Sequence, residues 1–266
     1  MNELKSVLVA PEREGGSMTV PGVSWLARGA LLLALTGGAG CGPKSESITS
    51  EAKDNMTVVK GAADTAARAG IAVRRPVVLF FGTSLTAGAG LEPEQAFPAL
   101  VEKKADSAGL PIRAVNAGLS GETTAGAVRR IDWVLRTPAD VIVVETGAND
   151  ALRGLSPAAA KANIERIIAT IRNKQPGATI VLAQFFAPPN FGNAYTRSFG
   201  AIYAEVAKRE NVVLIPFLLE GVAGVSRYNQ ADGIHPNVAG ERIVADNIWR
   251  ALEPLIAQLD RLRGTG

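Results

Sequence analysis

Five short runs of apolar residues recur between about residue 76 and residue 216, and longer segments of mixed polarity separate them. Such runs, bounded by Gly, Pro or Asn, are typical of buried β-strands. Their continuous apolar character, in place of an alternation with polar positions, favours a sheet that is covered on both faces. The five predicted strands are Val77–Phe81, Ile112–Asn116, Val141–Thr146, Thr179–Phe185 and Val212–Pro216.

The segments between these runs have the spacing of amphipathic helices. In one of them, Ile164, Ile167, Ile168 and Ile171 fall on a single helical face. Strands that alternate with helices predict parallel pairing, with helices on both sides of the sheet. The predicted fold class is therefore α/β, a three-layer α/β/α sandwich around a central five-stranded parallel sheet. The predicted helices cover about 94–108, 123–136, 157–174, 193–209 and 238–261.

The N-terminal region contains an uncharged apolar stretch, residues 29–43, in which small residues precede Cys41. The stretch is shorter than the roughly 20 residues of a membrane-spanning helix and has the pattern of a secretory signal. It resembles a bacterial lipoprotein signal, in which the cysteine is lipidated, although Gly38 stands where such signals usually place Leu. We predict a signal segment over 1–41 with lipidation at Cys41. Simple cleavage nearby, or an uncleaved anchor, is the alternative.

The segments on either side of this stretch complete the predicted domain organisation. Residues 1–17 are charged and polar and fit no part of a signal, which suggests that translation starts at Met18. Residues 42–75 mix Ser, Thr, Ala and Gly with charges of both signs and predict a tether. We therefore expect an exported domain over 76–266, in the cell envelope, either periplasmic or tethered to a membrane through the lipidated cysteine.

Composition limits the classes of partner and site. The 266 residues carry a net charge of +3 with a pI of about 9.1, and no run of Lys and Arg is interleaved with aromatic residues. We therefore expect no nucleic-acid partner. A single Cys and a single His exclude a disulfide framework and the usual Cys/His zinc sites. No metal site is expected.

Candidate chemistry begins with Ser84, which follows the first predicted strand, where α/β proteins bind their ligands. A serine hydroxyl is a poor nucleophile until a base takes its proton. Histidine has a suitable pKa for that base, and the only histidine in the chain is His235. Asp232, three residues earlier, is close enough to orient the imidazole. A purely structural role stays open for each of the three residues. Ser84 and Asp232 could simply form turns, and His235 could cap a helix or pack in the core.

Four sequence blocks occur in order along residues 76–260. Together they resemble the blocks of the SGNH hydrolase superfamily, also called GDSL esterases and lipases. The closest likeness is to the bacterial multifunctional thioesterase, protease and lysophospholipase group and its arylesterase relatives, and Glu145–Gly154 is especially similar to that group. The blocks are Gly82-Thr83-Ser84-Leu85-Thr86, Asn116-Ala117-Gly118-Leu119-Ser120-Gly121-Glu122-Thr123, Gly147-Ala148-Asn149-Asp150 and Asp232-Gly233-Ile234-His235-Pro236-Asn237.

The resemblance implies an SGNH, flavodoxin-like sandwich and a serine esterase that needs no cofactor. It implies hydrolysis of carboxylic esters or thioesters of short-to-medium acyl chains through an acyl-serine intermediate, with a small ester or lipid as substrate. Ser84 would be the nucleophile, His235 the base, and Asp232 the residue that orients the base. The oxyanion hole would consist of the backbone N–H groups of Ser84 and Gly121 and the side-chain amide of Asn149.

One departure from the family pattern and one apolar loop bear on rate and substrate. Thr83 stands where the family usually has Asp, and we expect a tolerated local change with a shifted loop hydrogen bond. The segment Phe185–Tyr195 is apolar and aromatic and resembles the loop that lines the acyl-chain groove of the thioesterase group. Phe186, Phe191 and Tyr195 would then bind substrate. An ordinary loop that packs on the domain is the alternative.

The sequence leaves two alternative functions and one alternative nucleophile open. A carbohydrate O-deacetylase on the same fold is one alternative, and a non-catalytic envelope lipoprotein that binds lipid or glycan is another. Ser120 is the alternative nucleophile, although the family uses its block for the oxyanion. The Gly-x-Ser-x-Gly elbow of α/β-hydrolases does not occur in the chain.

Overall fold

The computed structural model of the protein describes residues 74–264. Five strands within this range form one parallel sheet in the order β2-β1-β3-β4-β5. The central strand β1 lies between β2 and β3, so that Leu79 is paired with Val115 on one side and with Ile142 on the other. The predicted five-stranded parallel sheet is thereby confirmed. The strands are β1 (Val77–Gly82), β2 (Arg113–Gly118), β3 (Val141–Val144), β4 (Thr179–Ala183) and β5 (Val213–Ile215).

Seven α-helices connect or follow the strands in the described range. All five predicted helices are present, with ends that differ from the prediction by a few residues. Two further helices, α1 and α4, are single turns that follow β1 and β3, and they are too short to show a periodic apolar face. The helices are α1 (Ser84–Ala87), α2 (Phe97–Ser107), α3 (Thr124–Val134), α4 (Ala148–Leu152), α5 (Pro157–Lys174), α6 (Asn193–Arg209) and α7 (Val238–Gly264).

Two hydrophobic cores, one on each face of the sheet, make the domain a three-layer sandwich. Successive residues of β1 point to opposite faces. Leu79 and Phe81 pack with α3, α5 and α6, whereas Val78 and Phe80 pack with α2 and α7. The predicted isoleucine face of α5 is fully buried in the first core. The three-layer prediction is confirmed.

Strand β2 departs from the expectation of a strand covered on both sides. It lies at one edge of the sheet and its residues are half-buried or exposed, with Arg113 and Asn116 exposed. Strand β1, by contrast, is buried along its whole length. The polar residues of β2 mark its edge position, because a strand with one free side needs fewer apolar contacts.

The predicted signal segment 1–41, with its lipidation site Cys41, lies outside the described residues, as does the predicted tether up to residue 73. Within residues 74–264, no helix combines the length and the apolar composition that crossing a membrane requires.

Candidate active site

Ser84 is the first residue of helix α1, directly after the carboxyl end of β1. The turn between strand and helix is tight, and the side chains of Thr86 and Glu145 leave no room for a Cβ at Gly82. A Cβ there would overlap the Thr86 hydroxyl and lie 2.6 Å from Glu145 Oε2. The helix ends after one turn, because Gly88 adopts a left-handed conformation with φ of 69°. This short turn holds the Ser84 hydroxyl, half-buried, at the carboxyl edge of the sheet.

The structure brings Ser84, His235 and Asp232 together in one hydrogen-bonded chain. Ser84 Oγ is 2.8 Å from His235 Nε2, and His235 Nδ1 is 2.6 Å from Asp232 Oδ2. The hydrogen bond from His235 lowers the pKa of Asp232 to about 2, helped by the backbone N–H groups that its carboxylate accepts. An ionised Asp232 favours the tautomer with hydrogen on Nδ1, which leaves Nε2 free to accept the Ser84 proton.

Two sets of hydrogen bonds fix the loop that carries Asp232 and His235. Asp232 Oδ1 accepts the backbone N–H groups of Ile234 at 2.9 Å and His235 at 3.0 Å, which closes the loop around the carboxylate. The side chain of Gln230 donates to the carbonyls of Pro236 and Ala89, and Ala89 follows the Ser84 helix. Gln230 therefore ties the histidine loop to the serine turn.

Besides Ser84, two residues predicted for the oxyanion hole, Gly121 and Asn149, lie in segments that are hydrogen-bonded to each other. Asn149 is in the first turn of α4, and its side-chain amide donates to the Glu122 carbonyl at 3.0 Å. This leaves the second amide hydrogen of Asn149 for another acceptor. Gly121 is exposed with φ of 77°, a conformation that favours glycine, and its carbonyl accepts from Arg153. The structure therefore holds the loop of Gly121 next to the first turn of α4, which carries Asn149.

Asp150 joins α4 to the start of α3 through hydrogen bonds. Its buried carboxylate accepts the backbone N–H of Thr124 at 2.8 Å and the Thr124 hydroxyl at 2.6 Å, at the start of α3. The side chain of Asn163, from α5, donates to the same hydroxyl. Since Asp150 is adjacent to Asn149, these bonds fix the first turn of α4 relative to the start of α3, which follows the Gly121 loop.

Glu145 is a fully buried carboxyl directly behind the serine turn, and its role is absent from the sequence-based prediction. It accepts the backbone N–H of Thr83 at 2.7 Å, the Thr83 hydroxyl at 3.0 Å and the Thr86 hydroxyl at 2.9 Å. Burial raises the pKa of Glu145, and the hydrogen bonds it accepts oppose that rise. The expected hydrogen bond of Thr83 therefore exists, with Glu145 as its acceptor.

An ion pair that the sequence analysis missed joins the ends of β1 and β2. Arg130, on α3, donates to Glu122 through Nε at 2.8 Å and through Nη2 at 2.6 Å. The same guanidinium donates to the carbonyls of Ala117 and Gly82, and it lies 4.5 Å from the centre of the Phe81 ring. The pair thus braces the strand end that leads into Ser84.

The aromatic residues predicted to bind substrate fall into two groups. Phe191 and Tyr195 stack with ring centres 5.4 Å apart, and the Tyr195 hydroxyl donates to the Leu155 carbonyl, close behind α4. Phe186 packs instead on Phe217, with ring centres 5.0 Å apart. Phe191 and Tyr195 therefore flank the Asn149 segment, whereas Phe186 belongs to a separate aromatic pair.

Two further predictions concern Ser120 and metal binding. Ser120, the alternative nucleophile, is exposed in the loop before α3, whereas the ring nitrogen of His235 contacts Ser84. Across residues 74–264, no three or more His, Cys, Asp or Glu side chains are grouped so as to hold a metal ion.

Comparison with known proteins identifies the family. The model of the GDSL-like lipase/acylhydrolase family matches residues 80–243, more than half of the chain. Esterase TesA of Pseudomonas aeruginosa is 39% identical over 181 residues, which cover 67% of this chain and 89% of that protein. Thioesterase 1/protease 1/lysophospholipase L1 of Escherichia coli is 34% identical over 180 residues, which cover 67% of this chain and 84% of that protein.

Solved structures give the same result. A crystal structure of TesA matches with a TM-score of 0.64 and 38% identity, over 67% of this chain and 99% of that one. The psychrotrophic esterase EstA from Pseudoalteromonas, solved with the inhibitor monoethylphosphonate, matches with a TM-score of 0.64 and 28% identity, over 68% and 99% of the two chains. The chain belongs to the GDSL-like lipase/acylhydrolase family and is a carboxylic ester hydrolase, as its four sequence blocks predict.

Proposed function

We propose that the protein hydrolyses carboxylic esters or thioesters of short-to-medium acyl chains through an acyl-enzyme intermediate on Ser84. One observation carries the proposal: Ser84 Oγ lies 2.8 Å from His235 Nε2, while His235 Nδ1 lies 2.6 Å from the Asp232 carboxylate. These distances suit proton transfer from the hydroxyl to the imidazole, with a carboxylate placed to stabilise the resulting imidazolium.

In the acylation step, Ser84 Oγ attacks the substrate carbonyl carbon and its proton moves to His235 Nε2. The tetrahedral intermediate collapses, the bond from carbon to the alcohol oxygen or thiol sulfur breaks, and His235 returns the proton to the leaving group. In the second step, water attacks the acyl carbon and His235 takes its proton. Ser84 then leaves with that proton, and the carboxylic acid is released.

The negative charge that develops on the carbonyl oxygen needs preorganised donors. We assign the backbone N–H of Ser84, the backbone N–H of Gly121 and the side-chain amide of Asn149 to this role. The first amide hydrogen of Asn149 is held by the Glu122 carbonyl, so the orientation of the second is fixed before substrate arrives. A donor that is fixed in advance loses little energy to reorganisation in the transition state.

The acyl or aryl part of the substrate would lie against Phe191 and Tyr195, which stack next to the segment after Asn149. Phe191 and Leu155 are both exposed there, at 38% and 42%, and offer apolar surface. Phe186 is also exposed and would offer further apolar surface beside Phe217. This arrangement favours an apolar acyl chain over a sugar.

Reaction of purified residues 42–266 with a fluorophosphonate probe tests the proposal, with Ser84→Ala as the matched control. We expect labelling of the wild type that Ser84→Ala abolishes, and turnover of p-nitrophenyl esters from acetate to decanoate that favours intermediate chains. A sharp preference for acetate would favour the carbohydrate O-deacetylase. A folded wild type that does not label would favour the non-catalytic lipoprotein that binds lipid or glycan.

We further propose that residues 1–41 direct export and that Cys41 carries a lipid, so that the domain acts in the cell envelope. The apolar run, the small residues and the cysteine that follows them support this. Metabolic labelling with a fatty-acid analogue in a bacterial host, compared between wild type and Cys41→Ala, tests it. Label in the wild type alone is expected, and equal label in both proteins would contradict lipidation.

A further inference from the structure

The buried carboxyl of Glu145 is the feature of the site that the proposed reaction leaves unused. It lies in the segment that joins β3 to α4, while three groups that donate hydrogen bonds to it belong to the turn that carries Ser84. Two of those donors, the backbone N–H and the hydroxyl of Thr83, come from the residue immediately before Ser84. The third is the hydroxyl of Thr86, one residue short of the end of α1.

The geometry of this turn depends on those bonds. Thr83 is the residue that precedes the first turn of α1, and its own hydroxyl makes no capping bond to the helix, since it donates to Glu145 instead. Gly82 leaves room for the carboxyl, because a Cβ there would lie 2.6 Å from Glu145 Oε2. The position of the Ser84 backbone, whose N–H we assign to the oxyanion hole, is therefore set by a carboxyl from the segment directly after β3.

The residue at position 83 also determines whether one carboxyl or two carboxyls lie next to the Ser84 turn. The family takes its name from Gly-Asp-Ser-Leu, so Asp is the usual residue at this position. An Asp there would place a second carboxyl against Glu145, and two carboxyls in contact cannot both ionise readily. A threonine hydroxyl supplies a hydrogen-bond donor with no charge of its own.

Other titratable and charged groups lie near Glu145. Tyr203, on α6, and Glu241, on α7, interact with it electrostatically. Arg130, on α3, reaches the carbonyl of Gly82, the residue before Thr83. The direct hydrogen bonds to the carboxyl come from Thr86 and from Thr83, and Thr83 contributes both its backbone N–H and its hydroxyl.

We propose that Glu145 is a positioning residue for Ser84, that it acts through Thr83, and that Thr83 in place of Asp keeps this support intact as the pH rises. The inference rests on the proposed function, in which Ser84 is the nucleophile. Its consequence is that removal of the Thr83 hydroxyl slows the chemical step without weakening substrate binding. A carboxyl at position 83 makes the rate sensitive to alkaline pH.

The test compares Thr83→Ser, Thr83→Val and Thr83→Asp with the wild type, by kcat and KM for p-nitrophenyl butyrate and by the rate of fluorophosphonate labelling, across pH. Thr83→Ser keeps the hydroxyl and is expected to stay within about twofold of the wild type. Thr83→Val keeps the shape and loses the donor, and we expect kcat to fall by about 10- to 100-fold with KM unchanged. Thr83→Asp is expected to have nearly the wild-type kcat at acidic pH. As the pH rises, its kcat should begin to fall at a lower pH than that of the wild type.

Glu145→Gln and Thr170→Val complete the design. Glu145→Gln should lower kcat as Thr83→Val does, and the Thr83 series decides alone if this variant does not fold. Thr170→Val is the matched control, because the exposed Thr170 hydroxyl donates only to the Arg166 carbonyl within α5, and it should leave kcat unchanged. Thermal unfolding confirms that each variant is folded.

Two outcomes separate the inference from the proposed function. A wild type that labels at Ser84, together with Thr83→Val and Thr83→Asp variants that keep its kcat and its pH profile, overturns the inference alone. A folded wild type that does not label overturns the proposed function, and the inference falls with it.

Discussion

Ser84 Oγ and His235 Nε2 lie 2.8 Å apart, although 151 positions separate the two residues in the chain. The contact joins the first turn after the central strand to the loop before the last helix. Gln230 reinforces it, because its side chain bonds the carbonyl of Ala89 after the serine turn and that of Pro236 after the histidine. The proximity is thus a property of the whole fold, in which the first and last segments of the domain meet at one edge of the sheet.

Asp232→Asn is the change that tests the third member of this chain of hydrogen bonds. Asparagine keeps the size of the side chain but removes the charge that favours hydrogen on His235 Nδ1. We expect kcat to fall by about 100- to 10,000-fold, with KM little changed. The lower end of that range is favoured because the Asp232 side chain is 44% exposed and water screens its charge.

The pH dependence of stability provides the control for Asp232. Its pKa is lowered to about 2 by the hydrogen bond with His235, so the carboxylate stabilises the folded state above the ordinary pKa of 3.8. That contribution is lost as the pH falls through about 2. Chemical unfolding of the wild type and of Asp232→Asn should therefore show a difference that shrinks between these two values. A difference that stays constant down to pH 2 would contradict the assignment.

The fold was predictable because its determinants are local. The apolar runs of the strands and the isoleucine face of α5 report burial directly, and both are found in the cores. Helices α1 and α4 were not predictable from periodicity, because a single turn has no repeated face. Strand β2 was expected to be buried, and its position at the sheet edge depends on strand order, which no single run encodes.

The candidate site likewise contains residues that could be predicted from the sequence and residues that could not. Ser84, Asp232 and His235 could be selected because residue type and position relative to a strand suggest their chemistry, and the structure places them in contact. Their catalytic roles stay predictions. Glu145 sits in an apolar run and bonds Thr83 across 62 positions, and Gln230 bonds Ala89 across 141, so neither partner was visible in the sequence.

Asn149→Ala is expected to lower kcat by about 100- to 1,000-fold, because the variant loses a donor to the developing oxyanion. KM should change little, since a ground-state carbonyl interacts with that donor more weakly than the transition state does. Steady-state kinetics with p-nitrophenyl butyrate provide the measurement. Labelling by the fluorophosphonate should slow as well, because its phosphoryl oxygen develops charge in the same place.

Loss of the Asn149 side chain also removes its hydrogen bond to the Glu122 carbonyl, so a structural effect must be separated from a catalytic one. Asn163→Ala is the matched control, since Asn163 donates to the Thr124 hydroxyl, which in turn bonds Asp150 next to Asn149. It should reduce stability without a comparable loss of kcat. An equal loss of kcat in both variants would assign Asn149 a merely structural role.

Arg130→Met tests the buried ion pair that braces the ends of β1 and β2. The variant leaves Glu122, whose side chain is only 4% exposed, without its charged partner. We expect the free energy of unfolding to fall by about 3–5 kcal/mol, because a buried charge remains uncompensated. Lys174→Met is the control: its ion pair with Asp132 is exposed, so the loss should be about 0–1 kcal/mol. Similar losses in the two variants would contradict the brace.

Glu241→Gln tests a buried carboxyl that joins the last helix to α2. Glu241 accepts the backbone N–H of Phe97 at 2.7 Å, and burial raises its pKa from 4.5 to about 8, with the charge of Glu145 adding to the rise. The folded protein therefore retains a proton on Glu241 up to about pH 8, whereas the unfolded chain releases it near 4.5. Folding takes up this proton between the two values. The contribution of Glu241 to the free energy of unfolding is then greatest below 4.5 and falls by up to roughly 1.4 kcal/mol per pH unit as the pH rises towards 8.

Glutamine keeps an oxygen that accepts the Phe97 N–H but has no proton to lose. We therefore expect urea unfolding of Glu241→Gln to show a stability that depends less on pH than that of the wild type, with the largest gain near pH 8. Glu253→Gln, at an exposed position of the same helix, should follow the wild-type curve. Parallel curves for the wild type and Glu241→Gln would mean that Glu241 titrates alike in the folded and unfolded protein.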